Sequence, residues 1–352
     1  MRVAIVTDIH VGARSDSKIM ANHFAKFYTD VFFPTLEEQG ITRVLMLGDI
    51  FDRRKYINFQ SLYAARNYLF EPLRDYQVDV IVGNHDTALK STNEINSLEL
   101  LLGEYTNITP HTEPIEIEID GTMLALLPWV CSDNYKQSMQ FLQNTVSQVL
   151  FGHLEIQGFE MHIGARSDTG FDSSVFSRFS QVFSGHFHHR STKGNITYLG
   201  SPYEMTWADY KDPRGFHLYD TDTRELTFVE NPYRLFYKLT YNDSTPAMER
   251  VVNDGIFEAY EGTFVKVIVE QRTDPLLYER FISKIDASKP ADVTIIDDTI
   301  HIQFTNEIAE DIEDTAAIIK STVDTVSKEE IRDPLFHLLT RLHQDALQMS
   351  KL

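Results

Sequence analysis

Side chains that commonly bind metal ions follow five apolar runs of the sequence at the same relative position. Each apolar run predicts a buried strand, and Asp, His or Asn follows within about two residues of its end. The five segments are Asp8-Ile9-His10, Gly48-Asp49-Ile50-Phe51-Asp52, Gly83-Asn84-His85-Asp86, Gly152-His153 and Gly185-His186-Phe187-His188. Because the carboxyl ends of parallel strands meet at one edge of a sheet, we expect these side chains to converge on one site.

The candidate ligands form a mixed set of oxygen and nitrogen donors. They are Asp8, His10, Asp49, Asn84, His153, His186 and His188. One aspartate can bridge two ions through its two oxygens, and four imidazoles favour manganese, iron or zinc over magnesium. With no thiolate in the set, a structural zinc site is disfavoured. Seven ligands exceed the need of one ion and suit two ions about 3.5–4 Å apart, an arrangement that hydrolyses phosphate esters.

Taken singly, each motif has an ordinary structural explanation. A Gly-Asp-x-x-Asp segment is often a capped turn, and His186 and His188 could form a hydrogen-bonded pair in the core. The five motifs nevertheless occur in one chain, each at the end of an apolar run. This agreement favours a metal site over five unrelated structural features.

The elements that carry these motifs alternate between strands and helices. Amphipathic helices between the first three strands indicate right-handed crossovers and a largely parallel sheet. A short helix at 95–104 is expected to bury its leucines. The segments 115–119 and 123–128 predict a hairpin with one exposed face, and 158–180, rich in Gly, Ser and Asp, predicts a long surface loop.

A domain boundary is expected near residues 230–240. Beyond it, strands and a helix up to residue 304 predict a small separate α/β unit. Residues 305–329 are acidic and predict a linker or a loose helix. Apolar residues recur at helical spacing in 330–349, which predicts an amphipathic helix that either docks on its own domain or binds a partner.

The composition limits the cell compartments in which the protein is expected. Cys131 is the only cysteine of the 352 residues, so no intramolecular disulfide can form and a reducing, cytoplasmic location is expected. The N-terminus shows no signal-peptide pattern, and no apolar run approaches the roughly 18 residues of a membrane span. We therefore expect an intracellular protein with no membrane segment.

The net charge argues at first against a nucleic-acid substrate. Lys and Arg number 32 against 52 Asp and Glu, a formal charge of −20, whereas phosphate contacts are mostly electrostatic. Residues 297–330 alone carry ten acidic and two basic side chains. Bound divalent metals would also reverse the local sign near the clustered carboxylates. The objection to DNA as substrate is therefore weakened but stands.

The five motifs resemble those of the calcineurin-like metallophosphoesterases. Three further segments resemble one branch, the SbcD-type DNA-repair nucleases, and within it the T-even phage nuclease subunits that work with an SMC-like ATPase: Pro128-Trp129, Gly152-His153-Leu154-Glu155 and Asp212-Pro213-Arg214-Gly215-Phe216. The resemblance implies an α/β fold with a four-layer αββα sandwich over 1–230. It further implies a small α/β capping domain over 231–304, then an acidic linker and a C-terminal ATPase-binding helical segment over 305–352.

Carried over by position, the resemblance implies a role for each site residue. One metal ion would be held by Asp8, His10, Asp49 and His188. The other would be held by Asn84, His153 and His186, with Asp49 bridging. His85 would face the scissile phosphate and protonate the leaving oxygen, and the Asp52 carboxylate would orient and charge His85. The segment Arg53-Arg54-Lys55 is either a solvated loop or a contact to the DNA backbone beside the metals.

The function expected from these features is hydrolysis of DNA phosphodiesters, from ends and internally, in recombination and double-strand-break repair. The cofactors would be two divalent ions, manganese preferred, with magnesium, iron or zinc as alternatives. The partners would be DNA, an SMC-like ATPase bound through the C-terminal helix, and a second copy of the chain bound through an N-domain helix. If the chain is phage-encoded, its location would be the host cytoplasm.

Two other functions stay open. A phosphomonoesterase such as a phosphoprotein or cyclic-nucleotide phosphatase could use the same site. Arg54 in place of the glycine that follows the phosphate-binding arginine of phosphoprotein phosphatases, and Asp86 in place of their glutamate, speak against it. A non-catalytic scaffold that recruits the ATPase to DNA is disfavoured because the ligand set is complete.

Overall fold

The computed structural model describes residues 1–297. The strand predicted at 299–304, the acidic linker and the helix predicted at 330–349 lie outside the described residues. The described strands are β1 Arg2–Val6, β2 Arg43–Met46, β3 Gln77–Ile81, β4 Thr87–Leu89, β5 Thr92–Asn96, β6 Ile108–His111, β7 Ile115–Ile119, β8 Thr122–Leu127, β9 Val149–His153, β10 Glu160–His162, β11 Ala165–Arg166, β12 Gln181–Gly185, β13 Ser191–Lys193, β14 Ile196–Tyr198, β15 Gly215–Asp220, β16 Leu226–Glu230, β17 Phe236–Asn242, β18 Phe264–Gln271 and β19 Asp292–Asp297.

Several of the described helices begin after a residue whose side chain caps them. The described α-helices are α1 Ala13–Asp16, α2 Lys18–Phe27, α3 Phe33–Glu38, α4 Phe59–Ala65, α5 Ser97–Leu102, α6 Tyr135–Asn144, α7 Ala247–Asp254 and α8 Pro275–Ala287. Side chains of Asn58, Asn96 and Asp274 accept backbone N–H groups of the first turns of α4, α5 and α8. A π-helical segment, Tyr28–Phe32, joins α2 to α3, and another, Arg66–Phe70, extends α4.

Two six-stranded sheets form the larger part of the chain. The first has the order β16-β15-β1-β2-β3-β6 and the second β13-β14-β12-β9-β8-β7. Strands β1, β2, β3 and β6 run parallel, as do β8, β9, β12 and β14. The remaining edge strands pair antiparallel. Each sheet thus directs the carboxyl ends of its central strands to one edge, where loops can carry ligands.

The two sheets pack face to face over a shared apolar core. Val3, Ile5 and Leu45 of the first sheet contact a cluster that includes Leu126 and Phe151 of the second. The hairpin predicted at 115–119 and 123–128 is present as β7 and β8 and supplies one edge of this core. Alternate residues of each strand face away from this core, because successive side chains point to opposite faces of a sheet.

The outward faces of both sheets are covered by helices or loops. Ala4 and Val6 of β1 belong to a core with Phe24 and Phe27 of α2. Leu142 of α6 belongs to the core on the outer face of the second sheet. Helix, sheet, sheet and helix therefore form four layers, and the predicted αββα fold is confirmed.

Two local predictions were wrong. The segment 158–180 is more than a surface loop: it contains the hairpin β10–β11, and its Phe159, Phe176 and Phe179 are buried. These aromatic residues anchor the segment on the second sheet, although their spacing follows no regular period. In α5, Leu98 is buried, but Leu100 is 73% exposed because it lies on the opposite side of the helix.

Residues 236–297 form a smaller sheet with helices α7 and α8. Its strands β17, β18 and β19 are parallel, and its own core includes Tyr241, Val267 and Phe281. Residues 1–297 nevertheless form one compact unit, so the division near residue 230 stays a prediction. No helix within residues 1–297 is long and apolar enough to cross a membrane.

Candidate metal centre

The loops after β1 and β2 stay hydrogen-bonded to each other beyond the sheet. The Asp8 N–H donates to the Gly48 carbonyl at 3.1 Å, and the His10 N–H donates to the Asp49 carbonyl at 3.0 Å. Asp8, His10 and Asp49 have φ angles of 54°, 50° and 52°, in the left-handed region. Such backbone is costly for residues with a side chain and is common at functional sites. It turns the three ligands toward one point.

Two glycines allow the other ligand loops to approach. A Cβ at Gly83, after β3, would lie 2.2 Å from the Asp49 backbone nitrogen. A Cβ at Gly185, at the end of β12, would lie 2.0 Å from the Thr7 hydroxyl oxygen. Both separations are far below van der Waals contact, so glycine is required for the loops to meet.

The first ligand cluster contains Asp8, His10 and His188. One candidate ligand atom from each lies within 4.8 Å of the others. The Nε2 atoms of His10 and His188 are 3.1 Å apart, and His188 Nε2 is 3.9 Å from an Asp8 carboxylate oxygen. The Asp8 carboxylate also accepts the His186 backbone N–H at 3.1 Å, which ties the β1 and β12 loops together.

The second cluster contains Asp49, Asn84, His153 and His186. Asn84 Oδ1 lies 2.9 Å from His153 Nε2 and 2.8 Å from His186 Nδ1. Asp49 Oδ2 lies 3.3 Å from His153 Nε2 in this cluster and 3.8 Å from His10 Nε2 in the first. One oxygen of Asp49 therefore lies between the two clusters, and all seven predicted ligands converge.

The chemistry of the donor set fits divalent metal ions. Ligands around an octahedral ion with bonds of about 2.1 Å are about 3 Å apart, close to the separations found here. His153 Nδ1 donates to the Leu47 carbonyl at 2.7 Å, so Nε2 is the nitrogen that faces the cluster and that would bind an ion after losing its proton. Asp8 and Asp49, 0% and 2% exposed, bring negative charge into the protein interior, where a cation would compensate it.

The buried charges perturb one another strongly. Burial opposes ionisation of Asp49, but the charge and hydrogen bond of His153, together with the charge of His10, outweigh burial and hold the pKa of Asp49 well below its usual range. Burial lowers the pKa of His153, yet Asp49 more than compensates and raises it to about 9. Burial and the charge of His153 lower the pKa of His186 to about 3. A neutral His186 has a lone pair available for a metal.

His85 lies beside the clusters, but its contact with Asp52 differs from the prediction. His85 Nδ1 pairs with the backbone carbonyl of Asp52 at 2.6 Å, not with the carboxylate. The Asp52 carboxylate lies 3.3 Å from His10 Nδ1 instead. The Asp52 N–H donates to the Val11 carbonyl, so the β2 loop runs along the β1 loop and turns the carboxylate toward His10.

Arg53 is occupied by a structural contact. Its guanidinium forms an ion pair with Asp16 at 2.9 Å and stacks on Tyr56. Asp16 also accepts the Ser61 hydroxyl at 2.8 Å. Arg53 is therefore neither a solvated loop residue nor one that lines the cleft of the metal centre.

The short segment α1, Ala13–Asp16, is a left-handed turn rather than a right-handed helix. Arg14, Ser15 and Asp16 have φ angles of 50°, 57° and 63°. This conformation costs about 1–2 kcal/mol for each residue other than glycine. The contacts of Asp16 with Arg53 and Ser61 offset part of this cost.

Three further residues support the site and were not assigned by sequence reasoning. The buried Asp86 carboxylate accepts the backbone N–H groups of Ile50, Phe51 and Gly83, which joins the β2 and β3 loops. Arg214, 2% exposed, donates to the His188 carbonyl and pairs with Asp209 and Asp212. The Trp129 ring lies 5.2 Å from that of His186. In the sequence, these residues stand out only because each lies in one of the motifs quoted above.

The fold and the two clusters define a metal-dependent phosphoesterase. Residues 1–190 match the family model of the calcineurin-like phosphoesterases, and the chain belongs to this family. This match confirms the resemblance found in the motifs. Members of the family are hydrolases that use divalent metal ions, and the ligand clusters described above agree with this.

Two relatives of the chain are named as nucleases. Exonuclease subunit 1 of Enterobacteria phage T4 is 30% identical over 308 residues, 83% of this chain and 87% of the phage protein. A subunit of the SbcCD nuclease of Staphylococcus saprophyticus is 22% identical over 198 residues, 52% of this chain and 47% of that protein. Among solved structures, the purple acid phosphatase PPD1 of yellow lupin is 10% identical with a TM-score of 0.39, over 65% of this chain and 52% of that one.

Proposed function

We propose that this protein is a two-metal deoxyribonuclease that hydrolyses DNA phosphodiesters from ends and internally, in recombination and double-strand-break repair. The observation that carries the proposal is the position of Asp49 Oδ2 between two ligand clusters. A carboxylate in this position could be shared by two neighbouring ions. The names of the two relatives, an exonuclease subunit and a nuclease subunit, support a nucleic acid as the substrate class, and we propose DNA within it.

The ligands divide between two ions as follows. Asp8, His10, Asp49 and His188 would hold one, and Asn84, His153 and His186 the other, with Asp49 shared. The four imidazoles support manganese over magnesium. When bound, the ions would supply positive charge for the phosphate oxygens and lower the pKa of a water molecule.

His85 is proposed as the general acid. It lines the same cleft as the ligands, and its Nδ1 is held by the Asp52 carbonyl at 2.6 Å. That contact orients the ring and stabilises a proton on Nδ1, so Nε2 is free to deliver a proton to the leaving oxygen. The Asp52 carboxylate, near His10 Nδ1, is proposed to orient this ligand and to keep the local charge negative.

Activity assays on two substrate classes test the proposal. Wild type with added manganese is expected to cut duplex or single-stranded DNA, and His85→Ala to lose about 10²–10⁴-fold while binding the same number of ions. His23→Ala, which removes a histidine of α2 outside the cleft, serves as the control. If wild type instead releases phosphate from monoesters and leaves DNA intact, the substrate assignment is wrong and a phosphomonoesterase is indicated.

Partners and layout are proposed together with this activity. We infer a capping domain over 231–304, an SMC-like ATPase bound through the C-terminal segment, and host cytoplasm as location. The relatives named as subunits support a partner, and the phage source of one relative supports the location. An ATPase with a basic surface would supply the DNA contact that an acidic chain lacks. Tight duplex binding by the isolated chain at physiological salt would make that contribution unnecessary.

A homodimer through the N-terminal helices is proposed on separate grounds. Phe59 and Tyr63 of α4 and Leu100 of α5 are 84%, 70% and 73% exposed. Exposed apolar side chains in such number mark interfaces. Sedimentation of a monomer at micromolar concentration would contradict the dimer.

A further inference from the structure

Arg14 lies at the rim of the metal centre. It lines a cleft of about 240 Å³ together with seven of the predicted site residues, His10, Asp49, Asp52, Asn84, His85, His186 and His188. Among the described residues that line this cleft, Arg14 is the only arginine or lysine. Its charge is therefore the one permanent positive side-chain charge that the cleft offers to an anionic substrate.

The guanidinium of Arg14 is held by stacking. Its central carbon lies 4.5 Å from the ring centre of Phe264 and 5.6 Å from that of Phe236. These two residues face each other at the start of the paired strands β17 and β18. In such stacking the flat face of the guanidinium contacts the aromatic ring. Its N–H groups point outward along the edge and remain free to donate hydrogen bonds.

No carboxylate within residues 1–297 forms an ion pair with Arg14, whereas Arg53 is paired with Asp16. Asp16 is the last residue of the left-handed turn that contains Arg14. The contacts of Asp16 with Arg53 and Ser61 thus hold the turn that presents Arg14. A costly backbone conformation of this kind is common at functional sites, and here it places an exposed arginine at a cleft.

We propose that Arg14 binds a phosphate next to the scissile phosphate in the nucleic-acid strand and so selects polymeric substrates over small phosphate esters. This inference rests on the proposed function of the same site. The scissile phosphate belongs at the ligand clusters and His85, in the middle of the cleft. Arg14 lies at its rim against Phe264, where the strand would leave the cleft. An arginine matches the bidentate geometry of a phosphate.

A comparison of two substrates tests the proposal with the full chain in manganese. The substrates are single-stranded oligothymidylate and bis(4-nitrophenyl) phosphate, a diester with one phosphate. Arg14→Ala is expected to lower kcat/KM for the oligonucleotide about 10- to 100-fold, mainly through KM, as for a lost hydrogen bond to a charged group. The loss on the small diester should be at least tenfold smaller.

Arg14→Gln and Arg250→Ala complete the set. Arg14→Gln removes the charge but keeps an unbranched polar side chain with part of the aliphatic stem, so the test survives if Arg14→Ala does not fold. Arg250→Ala removes an exposed arginine of α7 outside the cleft and should behave as wild type. Equal losses on both substrates would overturn the proposal, because Arg14 would then act on the scissile phosphate or on the metals. An undiminished oligonucleotide reaction would overturn it as well.

Binding measurements separate this inference from the proposed function. With calcium in place of manganese, the affinity of fluorescent oligothymidylate is expected to fall in Arg14→Ala, and the slope of log affinity against log salt to decrease by about 0.7. If wild type binds in this way but cuts no DNA, the proposed function fails, while the binding of a nucleic-acid phosphate by Arg14 stands. If binding does not depend on Arg14, the inference fails whatever the activity.

Oligonucleotides with a single uncharged linkage can locate the phosphate that Arg14 binds. In oligonucleotides with one methylphosphonate at each position in turn, wild type should be slowed at the cleaved linkage and at one neighbour. In Arg14→Ala, a methylphosphonate at that neighbouring linkage should no longer slow cleavage, whereas one at the cleaved linkage still should. The four combinations of enzyme and substrate form a double-mutant cycle. Retained sensitivity at every neighbouring linkage would refute the assigned contact.

Discussion

An alanine at Gly83 is expected to disable the metal centre while leaving the chain folded. The added Cβ would lie 2.2 Å from the Asp49 backbone nitrogen and 2.3 Å from an Asp49 carboxylate oxygen. Non-bonded heavy atoms normally approach to about 3.5 Å. The β3 loop with Asn84 and the β2 loop with Asp49 must therefore separate by about 1 Å or more.

The magnitude follows from that displacement. Overpacking of this kind costs about 1–3 kcal/mol of folding free energy, less than the about 5–15 kcal/mol that stabilises typical domains. A displacement of about 1 Å between catalytic groups costs about 100-fold in rate. Gly83→Ala should therefore fold, with kcat/KM lowered about 100-fold or more and fewer bound metal ions.

Three measurements check this expectation: kcat/KM with manganese, metal content after dialysis, and urea unfolding in a chelator. Gly103→Ala is the matched control, since a Cβ there meets only the Glu99 carbonyl oxygen, at 3.2 Å, and lies at the end of α5. Wild-type activity and metal content in Gly83→Ala would refute the role assigned to the close approach of the two loops.

Three other substitutions are informative. Asp49→Asn should lose at least one of two ions by elemental analysis and about 100-fold or more in activity; two retained ions would contradict the bridging position. Burial raises the pKa of Asp79, but the hydrogen bonds from His111 and Arg43, together with the positive charge of Arg43, outweigh burial and hold the pKa below its ordinary 3.8. Wild type should therefore exceed Asp79→Asn in urea-unfolding stability by a constant amount above pH 3.8, and the difference should shrink at lower pH; a constant difference to pH 2 would exclude this linkage. Phe24→Ala, which removes a buried ring 3.7 Å from that of Tyr203, should cost about 3–5 kcal/mol in the same assay with metal content unchanged.

The strand ends and their ligands could be predicted from local sequence. An apolar run followed by Asp, His or Asn marks where a buried strand leaves a sheet, and parallel strands carry such ends to one edge. For this reason Asp8, Asn84 and His153 could be assigned to one site before any contact was known. The leucines of α5, by contrast, predict a helix that is buried on all sides, although Leu100 faces outward.

The contacts of individual atoms could not be predicted in the same way. Asp52 and His85 are close, as expected, but the contact uses the backbone carbonyl, because the pairing of the β1 and β2 loops turns the carboxylate to His10. The burial of Phe176 in a segment rich in polar residues likewise depends on the outer face of the second sheet.

The sequence by itself determined which strand ends carry the ligands, the mixed donor set and the phosphoesterase family. These three features follow from the residue types at the strand ends. Only the tertiary structure decided which arginine faces the substrate. Arg53 follows the second motif directly, yet it pairs with Asp16, while Arg14 lines the cleft. That choice depends on a left-handed turn held by contacts between loops distant in the chain, which no local pattern encodes.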